Sequence, residues 1–268
     1  MINAPFSFIQ FTSCNEQSNC KEVGDFFLQL VGGDVVIMQL TDNDDYRIDL
    51  ETQSGGLLFA NIATFQTLNK SKIVNINIPA NLAVGCYRLK LKGYESVICD
   101  MAIGSICAMP IGSICNLGSN LIDIGCFGFK ITKEVCYNKI VTYRCNESNS
   151  GFDYSEGFFN QIRLPIRYDF PQTKTKAEIY RRSDGGILRL ANTKNKEYFF
   201  ETDYADEHFH DCVSTMLDAD VFIIDGKSFI GAGDYEVGWI KEINSISLAK
   251  GTGKITLTPF NNQNPTFI

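Results

Sequence analysis

Histidine is almost missing from this chain: His208 and His210 are the only two among 268 residues. That shortage removes the side chain most often used as a general base at neutral pH and as a metal ligand. The two stand two positions apart on an expected helix, so they point to different sides and do not share one metal easily. His208 and Cys212, at i and i+4, have the spacing to share one with an acid. Solvated polar residues beside a buried cysteine are the preferred account. A serine–histidine–aspartate triad is defined by geometry rather than by sequence, but neither histidine falls in the kind of loop that usually carries catalysis.

An excess of basic charge is also missing. The net charge of −7 argues against a nucleic-acid partner, since phosphate binding needs clustered lysines and arginines, and suits a soluble protein that stays dispersed until it assembles. The opening residues, MINAPFSFIQFTSCNEQ, lack the basic segment and apolar core of a secretory signal. A reducing compartment is therefore expected, with the ten cysteines mostly free thiols acting as small buried hydrophobes. No CxxC pair occurs and the spacings match no zinc knuckle or ribbon, so no metal is expected.

Nucleotide and calcium motifs fail in detail, which leaves no cofactor expected. GTGK at 251–254 lacks both the first glycine and the following Ser or Thr of a phosphate loop. GAGDYEVG lacks the third glycine of a dinucleotide fingerprint, and TDNDDYRIDLE has the acidity of a calcium loop without its turn glycine. The uncharged run from Met101 to Ile122, bounded by Asp100 and Asp123, reaches the length of a membrane helix. Its glycines, serines, asparagines and Pro110 leave it too polar, and no Lys or Arg flanks it closely, so it is not a span.

What is present is strand-forming. Phenylalanine and tyrosine number 20 and 11, and 44% of the residues are hydrophobic, enough for two cores at this length. In KIVNINIP, Ile73, Asn75 and Asn77 alternate with Val74, Ile76 and Ile78; in GCYRLKLKG, Tyr87, Leu89 and Leu91 alternate with Arg88, Lys90 and Lys92. That period of two marks half-buried strands. DFFLQL and DVVIMQL flank VGGD, which predicts a hairpin with Gly32 and Gly33 at its tip. YRIDLE and GLLFANIA complete the first set.

Later strands are predicted in KIVTYRC, FFNQIRLPIRY, AEIYRR, ILRLANT, KEYFFETD, VFIIDGKSF, YEVGWIKE, SISLAKG and KITLTPF, with RSDGG as a hairpin turn. One helix is predicted at about 204–217, capped by Asp203 or Thr202, with Asp206 and Glu207 in its first turn. Phe209, Cys212, Val213, Met216 and Leu217 form its apolar stripe, which should pack on a sheet. The expected fold is mainly β. Two antiparallel sandwich or barrel-like domains cover 1–132 and 133–268, the second carrying the helix.

The order of FFNQIRLPIR, AEIYRRSDGG, KEYFFETDY, FHDCVSTMLDADVFIIDGKSF and GDYEVGW resembles that of structural proteins of tailed bacteriophages and prophages of Bacteroidetes, the crAss-like phages among them. The GCYRLKL strand extends a weaker match toward the N-terminus, while Met101 to Gly118 has no clear counterpart. The resemblance implies a non-enzymatic virion component of the tail, a collar ring or the baseplate, and supplies no catalytic residues. It implies self-association in a ring or other symmetric assembly, and contact with other tail or portal-proximal proteins. It also implies location in the virion tail after assembly in the host cytoplasm.

Within 101–122, which repeats the tetrapeptide GSIC, the expected interface residues are Ile103, Ile106, Met109, Ile111, Ile114 and Leu117. An uncharged stretch of this composition is disfavoured as an exposed patch. A core strand pair fits the same pattern equally well. A glycan- or receptor-binding module is the alternative function, with Tyr154, Phe158, Phe159 and Asn160 as its candidate cluster. A hydrolase is disfavoured by the sparse acid–base inventory.

Overall fold

The computed structural model describes residues 4, 6–14, 28–41, 44–68, 71–95, 120–133, 138–145, 152–154, 157–239 and 248–258. The first strands are β1 (Leu28–Leu30), β2 (Val35–Leu40), β3 (Tyr46–Thr52), β4 (Leu57–Phe59), β5 (Ala63–Thr67), β6 (Lys72–Asn77), β7 (Gly85–Glu95) and β8 (Asn120–Ile131). There follow β9 (Asn138–Arg144), β10 (Asn160–Tyr168), β11 (Gln172–Arg181), β12 (Ile187–Thr202) and the helix α1 (Glu207–Leu217). The chain then forms β13 (Val221–Ile224), β14 (Lys227–Gly231), β15 (Glu236–Trp239) and β16 (Ala249–Leu257). The protein is mainly β, as its period-two patterns require, with two large sheets in a sandwich-like arrangement.

A five-stranded sheet has the order β1-β8-β7-β3-β4, antiparallel except for the parallel pair of β1 with β8. Leu89 and Leu91 of β7 are fully buried on one face. The opposite face carries the basic residues, as the alternation predicts, but these meet acids rather than water alone. Arg88 lies 2.7 Å from Glu51, Lys92 2.8 Å from Asp49, and Lys90 2.7 Å from Asp123. Burial by itself would raise the Asp49 pKa, yet hydrogen bonds from Arg47 and Lys92 outweigh it and hold the carboxyl below its ordinary value.

The larger sheet contains a closed barrel. Its order β12-β16-β14-β13-β9-β10 returns to β12 through the pairs Ile166↔Thr202, Arg167↔Glu201 and Tyr168↔Phe200. Inside, Tyr198 meets Phe229 edge-on at 5.4 Å between ring centroids, and Tyr168 meets Tyr198 at 5.6 Å. The far edge of β10 is divided, with Ile166–Tyr168 bound to β12 and Gln161 paired with Ile37 of β2. From β2 the sheet continues through β6 to β5. The expected boundary at 132/133 falls between β8 and β9, and the large sheet takes strands from both sides of it. A buried ion pair reinforces this junction: Arg163 of β10 grips Asp34 with two bonds, at 2.7 and 2.8 Å.

Several local expectations are corrected. VGGD is a turn but not a hairpin tip, because β1 and β2 enter different sheets. Gly33 donates to Ile78 O, Asp34 Oδ2 accepts from the Val31 amide, and a Cβ at Gly32 would lie 2.8 Å from Ala80 O. ILRLANT and KEYFFETD are one strand, β12. SISLAKG and KITLTPF likewise meet in β16, with GTGK inside it. Gly251 and Gly253 are strand residues because the Tyr235 and Phe200 rings lie against them; added Cβ atoms would fall 1.8 Å from Tyr235 Oη and 2.6 Å from Phe200 Cε1. VFIIDGKSF divides into β13 and β14 at Asp225–Gly226, both at positive φ as a two-residue hairpin demands.

The helix begins later than expected, at Glu207, because Asp206 is its cap and accepts from Phe209 N at 2.8 Å. Its predicted stripe of Phe209, Cys212, Val213, Met216 and Leu217 is buried, together with His210. The N-terminal segment runs beneath it: Phe8 meets Phe209 at 5.5 Å and Tyr143 of β9 at 6.4 Å.

The expectation of free thiols fails at Cys14, Cys86 and Cys126 and holds at Cys145 and Cys212, the other cysteines lying outside the described residues. Thr12 and Cys126 exchange backbone hydrogen bonds of 3.0 and 2.8 Å, which brings Cys14 within 4.8 Å (Cα to Cα) of Cys126, and the two form a disulfide. Cys86 is disulfide-bonded as well. Cys145 and Cys212 are free and buried, and burial pushes both thiols up.

Candidate interaction surfaces

The two histidines hold neighbouring segments together. His210 Nε2 donates to Ala249 O at 2.9 Å, which leaves Nδ1 to accept from Tyr235 Oη at 2.6 Å. Both ring nitrogens are thereby occupied, and burial pushes the Tyr235 phenol up. His208 Nε2 donates to Ser7 O at 2.9 Å and lies 3.5 Å from Cys212 Sγ, so the spacing noticed in the sequence does bring the pair together. Its effect is to pin the N-terminal segment to the helix. Among the described residues no group of three or more His, Cys, Asp and Glu side chains is placed to hold a metal. Asp45 of the acidic turn is engaged by Lys72 at 2.8 Å. Among the described residues no helix is long and apolar enough to cross a membrane.

Two clefts have volumes of about 150 and 190 Å³, the second between Phe8, Gln10, Phe127 and the start of α1. Both are below the size of ordinary small-molecule sites, roughly 300 Å³ upward. The cluster nominated for glycan stacking is largely core. Tyr154 and Phe158 are buried and stacked at 5.5 Å, and Asn160 donates to Tyr154 Oη at 3.0 Å; only Phe159 reaches solvent.

Some of the exposed apolar side chains lie at the ends of two hairpins. Ile103, Ile106, Met109, Ile111, Ile114 and Leu117 lie outside the described residues, in the connection from β7 to β8. The strands that lead into and out of that connection carry exposed Tyr94, Leu121 and Ile122.

A second such surface was not recognised in the sequence. β11 and β12 pair from Gln172↔Glu197 to Arg181↔Ile187, whereas β12 meets β16 only from Glu197 onward. Thr173 to Lys196 thus forms a two-stranded arm beyond the barrel, nine residue pairs long and roughly 30 Å at the usual strand rise. Arg182 N donates to Gly186 O and Gly185 N to Arg182 O, closing the tip as RSDGG predicts, with Gly185 at φ 85°. Ile179, Tyr180 and Ile187 near the tip are 62%, 54% and 66% exposed, beside exposed Arg181 and Arg182. A two-stranded ribbon has no second layer to cover such side chains.

The signal for the arm was available in the alternating run ILRLANTKNKEYFFET. Splitting it into two strands concealed that its first half outruns the barrel. Lys174 on the outer strand, and a bulge that sets one extra residue of β12, Leu190, opposite the step from Glu178 to Ile179, are features that discourage another strand from adding to the arm. The arm therefore offers its tip and faces rather than its backbone. A scan against family models finds none that matches, and searches of curated proteins and of solved structures find no match either.

Proposed function

We propose that the chain is a non-enzymatic virion subunit that assembles through protein–protein contacts into the tail, connector ring or baseplate of a tailed bacteriophage. The observation that carries this reading is the projecting arm, whose apolar tip has no partner layer among the described residues and gains stability when another surface covers it. The motifs behind the phage resemblance coincide with the barrel, the arm and the helix: FFNQIRLPIR leads into β10, AEIYRRSDGG is the outer arm strand and its turn, and FHDCVSTMLDADVFIIDGKSF runs from α1 through β14. Copies of itself and other tail or portal-proximal proteins are the partners. The tail region of the virion is the location, with assembly in the host cytoplasm. The Cys14–Cys126 bridge then forms once the particle has left that reducing environment.

Sedimentation velocity and negative-stain microscopy of the purified chain test the proposal. Concentration-dependent closed or stacked oligomers are expected, and a monomer at every concentration would count against it. The connection between β7 and β8 has its own test in Ile106→Lys and Ile114→Lys, made separately. An interface there loses assembly while the melting temperature holds, whereas a core segment unfolds its domain.

A further inference from the structure

We propose that the β11–β12 arm of one copy docks head to tail against the acidic α1 surface of the next copy. The inference rests on the reading of the chain as a self-assembling subunit and names the two faces that meet. Between Thr173 and Lys196 the arm has seven basic residues, Lys174, Lys176, Arg181, Arg182, Arg189, Lys194 and Lys196, against Glu178 and Asp184. The arm alone therefore carries +5, and the rest of the chain −12 of the −7 total. A cationic projection with an apolar tip on a strongly anionic body complements another copy of that body.

An anionic surface lies at the helix. From 203 to 220 there are six acids, Asp203, Asp206, Glu207, Asp211, Asp218 and Asp220, all exposed, and no lysine or arginine. Asp206 and Glu207 suit the positive end of the helix dipole. Asp218, however, caps the negative end, and the last turn has no basic residue. An acid there is unfavourable in the isolated chain, and a cation from outside relieves it. Lys250 Nζ lies 5.2 Å from the centre of the exposed Tyr204 ring, so the incoming arm addresses the acids of the helix rather than this ring.

Geometry separates the two faces within one molecule. The arm tip is at Ile187 and α1 follows Thr202, the opposite end of the same 16-residue strand, a separation of roughly 50 Å along β12. The arm therefore cannot fold back onto its own helix. Contact between unlike faces at opposite ends of a subunit is heterologous, and it generates a ring when the rotation closes and a filament when it does not.

The test uses the full chain with the charge of each face reversed in turn. R181E/R182E alters the exposed tip. D211K/D218K alters the helix surface in a way the helix tolerates, since lysine is a good helix former and is favoured near the C-terminus. Melting temperatures control for folding. By sedimentation velocity, each variant alone should associate about tenfold or more weakly than the parent.

An equimolar mixture of the two variants should regain association. Each reversed arm then meets a reversed helix, and each native arm a native helix. Should R181E/R182E assemble like the parent, or the mixture fail to recover, the head-to-tail contact is wrong while the structural-subunit reading stands. A parent chain that never self-associates would overturn both. If R181E/R182E loses only the binding of double-stranded DNA and assembles normally, the arm is a nucleic-acid surface instead.

Discussion

Arg163→Met is expected to damage this protein more than its conservative volume suggests. The guanidinium donates through Nε and Nη2 to the two Asp34 oxygens at 2.7 and 2.8 Å, and through Nη1 to Asn138 O at 3.1 Å. The two side chains are 8% and 7% exposed, so water does little to replace a lost partner. Methionine fills much of the space but leaves the Asp34 carboxylate in the interior with only the Val31 amide, at 2.8 Å. Removing one member of such a pair costs about 3–5 kcal/mol. At about 2–4 °C per kcal/mol for chains of comparable size, the melting temperature should fall by roughly 6–20 °C.

Adding Asp34→Asn removes the stranded charge while keeping an oxygen for the Val31 amide, and should recover more than half of the loss. Urea denaturation followed by calorimetry measures both variants. If Arg163→Met melts within about 2 °C of the parent, against the several kcal/mol expected, or the double variant is no better than the single, the pair does not hold the junction of β2 and β10 together.

Gly251→Ala should destabilise by roughly 1–3 kcal/mol in urea, because its Cβ would occupy the position of Tyr235 Oη and displace the ring from His210. Met216→Asp, at a fully buried position on the apolar stripe, should cost about 3 kcal/mol or more, and a melting temperature near the parent's would contradict the packing of α1. The Asp49 pKa is lower folded than unfolded, so the unfolded chain takes up its proton first as pH falls. Stability present at neutral pH should then decline below about pH 4, and Asp49→Asn should flatten that decline in denaturant midpoints measured against pH. Non-reducing peptide mapping should recover Cys14 linked to Cys126. Cys14→Ser should cost about 2–4 kcal/mol, since the bridge spans 112 residues of chain, and an unchanged stability would refute its contribution.

The sequence revealed what local periodicity encodes. Leu89 and Leu91 inside with Arg88, Lys90 and Lys92 opposite, and the Phe209–Leu217 stripe, follow directly from periods of two and 3.6. It concealed what depends on residues distant in the chain. Gly251 and Gly253 resemble turn residues until the Tyr235 and Phe200 rings that require them are placed alongside. Gly32 and Gly33 resemble a hairpin tip until β1 and β2 are seen to leave for different sheets. Cys14 and Cys126 have no spacing signature because a strand-like contact through Thr12 brings them together. The arm was hidden for a related reason: strand length is readable, but where the neighbouring strand stops is not.

The way β12 is shared has a mechanical consequence. Tension on the arm enters the barrel along the axis of this strand. There Glu197–Glu201 is bonded to β16 and Phe200–Thr202 to β10, on opposite edges. These bonds lie across the direction of pull, so they are sheared together and none opens first. A load passed from one copy to the next would thus be spread around a closed ring of strands. A force directed across the strands at an edge such as β5 would instead open its bonds one after another.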